Sequence, residues 1–305
     1  MTTDAGERVE PTLDTVHMGD RFGPNAYGLE PGVYPDYFDA SAIDWTWLQL
    51  PDGRTALPHS IAFEDGNRTF SLRYLSGRKL NARVRHTFYR PLVAPVGISD
   101  SVKIERTLVR RGREHVEYLA TVSDQSGRLL MTSQSDWVMN SSVRHDHDSP
   151  PDGAVSVFNR ALPTREFSLP PSPRAHDLQV GDELPPLGRQ AWLYEPPGGH
   201  GPNSVHGDEY ARRVLGTRGA IVLGSTVLGY VNELLGRALG PSWLERGALD
   251  VRFTSPIVHN DPVTARARVA SVDERGVEFE VQVTDAADAD QQAIVGTARY
   301  ALSQP

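Results

Sequence analysis

Two stretches of the chain repeat each other in order and spacing, and this repetition limits the folds open to it more than any other feature. From Asn81 the sequence runs NARVRHTFYR, SVKIERTLVRR, EHVEYLATVSD and RLLMTSQSDWVM, with turn residues between them at Arg111-Gly112 and in the DQSG of 124–127. Alternation of period two, broken by tight turns, predicts four strands of an antiparallel meander. From Ala248 the pattern returns as ALDVRFTSPIV, PVTARARVASV, GVEFEVQVTD and AIVGTARYALS. Phe88-Tyr89-Arg90-Pro91-Leu92 is in step with Phe253-Thr254-Ser255-Pro256-Ile257, an offset of 253 − 88 = 165. Asp100-Ser101-Val102 matches Asp261-Pro262-Val263, and Asp124 matches Asp285, both at 161 (261 − 100 and 285 − 124). One indel of four residues reconciles the offsets, so the matches point to duplication.

Ahead of the second meander lies the strongest helical signal. Val227, Leu228, Val231, Leu234, Leu235 and Leu239 recur at helical spacing, and Gly240-Pro241 ends the run. Gly224, Gly229 and Gly236 permit close packing against a sheet. The first half offers only one or two short helices between Val33 and Trp47. The expected fold is therefore α+β, with two curved antiparallel sheets each wrapping a central helix, degraded in the N-terminal half. Residues 1–20 read as a polar tail, 21–142 as the N-terminal half, 143–178 as a Pro/Ser/Asp-rich linker and 179–305 as the C-terminal half. LQVGDELPPLGRQAWLYE, at the start of the C-terminal half, predicts a strand pair.

Charge and composition exclude several functions. The net charge is −8, and the lysines are Lys79 and Lys103 alone, so the basic footprint of a nucleic-acid binder is missing. With no cysteine, there is no disulfide, thiolate metal site or cysteine nucleophile. The opening MTTDAGERVEPTLDTVHMGD has no apolar signal core, and no apolar run is long enough to span a membrane. A cytoplasmic protein is expected. His145 and His147 alternate with Asp146 and Asp148, a pattern open to a metal site but better read as a solvated loop. No metal ligand set is predicted.

The chemistry-bearing stretch is GGHGPNSVHGDEYARR, Gly198 to Arg213. In order, N-x-x-H-x-D-x-Y-A, R-G-A-I-V-L-G, a helix and L-D-V-R-F-T-S-P-I-V-x-x-D resemble the MaoC-like enoyl-thioester hydratase/dehydratase family, in its double hot dog form. The resemblance covers 179–302 well and 21–142 weakly. It implies an Asp-x-Asn-Pro-x-His motif, laid here on Gly201 to His206. Asn203 and His206 match, Ser204 takes the proline position and Gly201 the aspartate position. A glycine has no group to act as acid, base or water anchor. His200 is next to it and is the candidate replacement, against the plainer reading of a surface histidine. Tyr194 and Glu195 are further candidates.

The resemblance also assigns the thioester oxygen to the backbone N–H of Gly224 at the helix start, where orphan donors and the helix dipole favour negative charge. The family carries His before this glycine and Met after it, whereas Leu223 and Ser225 flank it here. Asn232 either faces the site or makes a structural hydrogen bond. Asp208 reads as a helix cap. In the first half Asp44, Trp45, Trp47 and His59 lie where a counterpart of the motif would be sought, the aromatics reading as core or acyl-pocket lining; His86 reads as structural.

The resemblance implies hydration or dehydration of an acyl thioester of coenzyme A or an acyl carrier protein, with no cofactor, and a homodimer as the assembly. Two alternatives stay open. One is an isomerase or cyclase acting on a polyketide-like substrate. The other is a non-catalytic ligand-binding or partner subunit.

Overall fold

The computed structural model describes residues 8–29, 48–60, 69–70, 72–75, 77–93, 96–152, 155–193, 203–285 and 291–303. Strands of the first half are β1 (Arg21–Leu29), β2 (Ala56–Leu57), β3 (Leu80–Phe88), β4 (Leu92–Val93), β5 (Val96–Arg110), β6 (Arg113–Asp124), β7 (Leu129–Val138) and β8 (Ser149–Asp152). Those of the second are β9 (Leu187–Gln190), β10 (Gly247–Phe253), β11 (Pro262–Asp273), β12 (Gly276–Asp285) and β13 (Gln292–Ala301). Both meanders form as expected. Arg111 and Gly112 turn the β5–β6 hairpin with positive φ of 52° and 67°, the backbone a tight hairpin needs.

The two curved sheets join edge to edge. The order is β1-β5-β6-β7-β3-β10-β13-β12-β11-β9, with β8 added alongside β5 and a separate β2–β4 pair. The seam is the antiparallel β3–β10 pair, in which Arg85 lies opposite Asp250. Replacing each residue n of the first half by n + 165 exchanges the pairs Val84–Val251 and His86–Leu249, and returns Arg85–Asp250 to itself. A pseudo-two-fold axis therefore runs through Arg85 and Asp250. The same offset relates the Ala56–Val93 pair to the Ile221–Val258 bridge (221 − 56 and 258 − 93). The aspartates of the repeat also coincide, Asp124 closing β6 and Asp285 closing β12.

The second half wraps the central helix, Gly224–Leu239, whose residues are all buried except Gly224 and Arg237. The buried Glu233 carboxylate accepts hydrogen bonds from Arg189 of β9 and from Arg237, so its charge is paired. The helix ends at Leu239 with Gly240 as its C-cap, and the chain enters a short helical turn, Trp243–Arg246, where the fully buried Trp243 meets Phe88 edge-to-face at 5.7 Å. In the first half residues 59–60 and 69–70 are helical. The helices expected between Val33 and Trp47 fall on residues outside the described set up to Trp47.

Two segments depart from the sequence reading. The stretch read as a polar tail is docked from Val9, which bridges to Tyr74, and Val16 is 1% exposed. The region read as a linker packs on the sheet: Ser156 Oγ and Val157 N–H donate to Glu117 at 2.7 and 3.0 Å, and Ser168 Oγ donates to Glu245 at 2.8 Å. His145 lies 2.9 Å from the Glu114 carboxylate. Of the strand pair expected before the site, β9 forms, and Glu183 adds an isolated bridge to Arg268. Among the described residues no helix is long and apolar enough to cross a membrane.

Candidate active site

His206 is held by its backbone and its ring. Its N–H donates to Ser204 Oγ at 3.2 Å, and Nδ1 lies 2.7 Å from the carbonyl oxygen of Ile221. A carbonyl only accepts, so Nδ1 carries the hydrogen, and the lone pair of the neutral ring is on Nε2. Ile221 N–H returns a bond to Val205 O at 3.2 Å, and Val222 N–H donates to Ile257 O at 2.8 Å. The histidine is thus clamped to the segment that leads directly into Gly224. Val205, Tyr210 and Ile221 form a small apolar cluster against which Leu80 of β3 packs. Val205 N–H also donates to Gly77 O at 2.7 Å. The first half therefore supplies one wall of the motif loop.

Gly224 opens the central helix, preceded by Leu223, which provides no side-chain cap. The helix's own hydrogen bonds begin with the N–H groups of Thr226 and Val227, both to Leu223 O. Those of Gly224 and Ser225 lie outside that ladder at the positive end of the dipole. Glycine here reflects crowding: a Cβ would stand 2.3 Å from Asn81 Nδ2 and 3.2 Å from the Phe253 ring. Asn81 is the second residue of β3, so the N-terminal half presents an amide at the helix start. Its Oδ1 is buried and has no hydrogen-bond partner among the described residues; the same holds for Ser225 Oγ and Thr226 Oγ1. Sequence reading gave no signal for Asn81, because a lone asparagine in a strand has no distinguishing spacing.

Other candidates take plainer places. Asn232 donates to Leu228 O at 3.0 Å and accepts from the Trp243 indole N–H at 3.0 Å, so both ends of its amide serve helix packing. Asp208 is the first helical residue, not the cap: its Oδ1 accepts from Ala220 N–H at 2.7 Å, and the N-cap is Gly207. The side chain therefore ties the motif loop to the segment before Gly224. Asn203 is exposed, with its carbonyl oxygen against Gly77. His200, Gly201, Tyr194, Glu195, Asp44, Trp45 and Trp47 lie outside the described residues.

In the first half the position equivalent to Gly224 is His59 (224 − 59 = 165), at the start of the helical segment. Its ring is 1% exposed, stacks on Phe88 at 4.4 Å and shares a 2.9 Å hydrogen bond with Arg90 O. Burial lowers its pKa to about 4 against the raising effect of that bond. His86, on β3, is fully buried and lowered to about 3, by burial and then by neighbouring His59. The first half thus carries a buried imidazole at the position where the second half has a glycine packed against the Asn81 amide.

No family model matches the sequence, and no curated protein matches it. Solved structures do. A MaoC-like dehydratase superposes with a TM-score of 0.69 at 17% identity, covering 94% of this chain and 98% of its own. A Mycobacterium tuberculosis protein described as having a double hot dog fold matches at 0.59 and 14% identity, over 95% and 97% of the two chains. The fold is a double hot dog. A MaoC-like dehydratase of Phytophthora capsici gives 0.61 at 12% identity, over 94% and 96%. At these identities the likeness establishes the fold; His206 and Gly224 belong to the half that wraps the Gly224–Leu239 helix.

Proposed function

We propose that the chain is a hydro-lyase acting on a 3-hydroxyacyl or enoyl thioester of coenzyme A or an acyl carrier protein. The observation that carries this reading is the His206 Nδ1 bond to Ile221 O, three residues before Gly224. It fixes a base nitrogen on the loop that ends in orphan helix donors. In dehydration, Nε2 of His206 removes the proton from the α-carbon. Charge moves onto the thioester oxygen, which the Gly224 N–H stabilises. The electrons then form the C2–C3 double bond, the C3–O bond breaks, and His206 returns its proton to the departing hydroxyl, which leaves as water. Hydration is the reverse. His200 is a second proton-transfer candidate beside Gly201, and Asn203 is a candidate to hold the motif loop or a substrate oxygen.

The test is incubation with a panel of 3-hydroxyacyl and enoyl thioesters of both carriers, following the absorbance of the conjugated enoyl thioester. Turnover by the wild type and a loss of about 10²–10⁴-fold in His206→Ala are expected. Absence of turnover by both proteins across the panel overturns the reading.

A further inference from the structure

Elimination needs a group that aims the 3-hydroxyl as its bond to carbon breaks, and the motif position that resembles the family's aspartate is Gly201. The chain offers another polar group at the helix start, and it comes from the other half. Asn81 stands on β3 so close to Gly224 that a Cβ there would lie 2.3 Å from its Nδ2 and 3.3 Å from its Cγ. The preceding residue, Leu80, packs on the Val205–Tyr210–Ile221 cluster behind His206. The β3 terminus therefore touches both the histidine loop and the oxyanion glycine. A buried amide oxygen left unsatisfied costs about 1–3 kcal/mol. Asn81 Oδ1 is such an atom among the described residues, and the buried Ser225 and Thr226 hydroxyls, which follow Gly224 in sequence, are also without partners there.

We infer that Asn81 binds the 3-hydroxyl of the substrate, its Oδ1 accepting the hydroxyl hydrogen while the thioester oxygen rests on Gly224 N–H. This rests on the thioester reading above and adds a role for the N-terminal half. An amide is neutral and takes no proton in the range where His206 works, so it orients and His206 does the transfers. The hydroxyl keeps its own hydrogen toward Asn81, receives the second from His206 and leaves as water. No step requires a carboxylate at position 201.

Binding isolates this contact from chemistry. In a His206→Gln background, which stops turnover, two coenzyme A analogues are compared in which a methylene replaces the thioester sulfur. One carries the 3-hydroxyl and the other lacks it. The 3-hydroxy analogue is expected to bind about five- to tenfold more tightly. Asn81→Ala and Asn81→Leu abolish that preference, and an unfolding midpoint within a few degrees of the starting protein's reports an intact fold. Asn81→Asp, which keeps an acceptor, retains the preference. A preference that survives Asn81→Ala, or is absent from the starting protein, overturns the role of Asn81 and leaves the thioester reading standing. Failure of both analogues to bind overturns both readings.

Discussion

Arg85 donates two hydrogen bonds to Asp250 Oδ2, at 2.8 and 2.6 Å, across the seam between β3 and β10, and the two residues are 165 positions apart. That separation equals the offset of the sequence repeat, so the pair marks the pseudo-two-fold axis. Arg83 adds two further bonds to the same carboxylate. Burial pushes the Asp250 carboxyl up, but the bonds from Arg83 and Arg85 outweigh it and hold the pKa below the usual aspartate value. The stability this contributes is present above pH 3.9 or so and is lost as pH falls through the lowered pKa. Asp250→Ala leaves two half-buried arginines facing each other and is expected to cost about 2–3 kcal/mol, with the cost largely absent in an Arg83→Ala/Arg85→Ala background. Chemical denaturation of the four proteins measures it. Additive losses would separate the seam from this carboxylate.

The repeat was legible because its markers are local. Phe88 and Phe253 end their strands, and Asp124 and Asp285 end theirs, so turn chemistry printed the symmetry into the sequence. The central helix was legible through its period, Gly224 to Leu239. His206 was legible through its spacing from Asn203. Asn81 was not, because its meaning depends on a contact 143 positions away (224 − 81) that only the seam creates. The equivalence of His59 with Gly224 was hidden for a similar reason. Histidine and glycine share no pattern, and strand register alone lines them up. Asp208 looked like a cap because its residue type favours that role, yet its carboxylate found the Ala220 N–H instead.

Gly224→Ala tests the helix start directly. The glycine does not occupy the left-handed region, so alanine is tolerated by the backbone, and the obstruction is the Asn81 amide and the Phe253 ring. The added methyl must push Asn81 aside. The expected result is a fall in kcat of about 10²–10³-fold, the scale of losing an oxyanion donor's geometry, with a Tm within a few degrees of the wild type. An unchanged kcat would remove Gly224 from the mechanism.

His200→Ala asks whether a second histidine moves protons. If it does, kcat falls by about 10²-fold or more, and the kcat–pH profile loses one of its two limbs. His206→Ala should fall at least as far. If His200→Ala retains wild-type kcat and pH profile, His206 alone carries the transfers.

Asn232 separates packing from chemistry. Truncation to alanine leaves the Trp243 indole N–H buried without its acceptor, a cost of about 1–3 kcal/mol. The expected outcome is a lower denaturation midpoint with kcat and KM near those of the wild type. A selective rise in KM at unchanged stability would return Asn232 to the substrate site.

The two buried histidines of the first half make the fold acid-sensitive. Unfolded, each titrates near 6.5; folded, burial holds His59 at about 4 and His86 at about 3. Both folded values lie below the unfolded one, so the stability they lend is complete above 6.5. It drains as pH falls from there toward 4 for His59 and 3 for His86, because the unfolded chain binds the protons first. Each histidine contributes a slope of about 1.4 kcal/mol per pH unit in that window. Replacing His86 with leucine, similar in size and without a proton to bind, removes one of the two slopes. Between pH 7 and pH 5 the variant should lose about 2 kcal/mol less stability than the wild type. Urea denaturation at the two pH values measures the difference. Parallel losses in the two proteins would show that His86 takes up its proton in the folded state as readily as in the unfolded one.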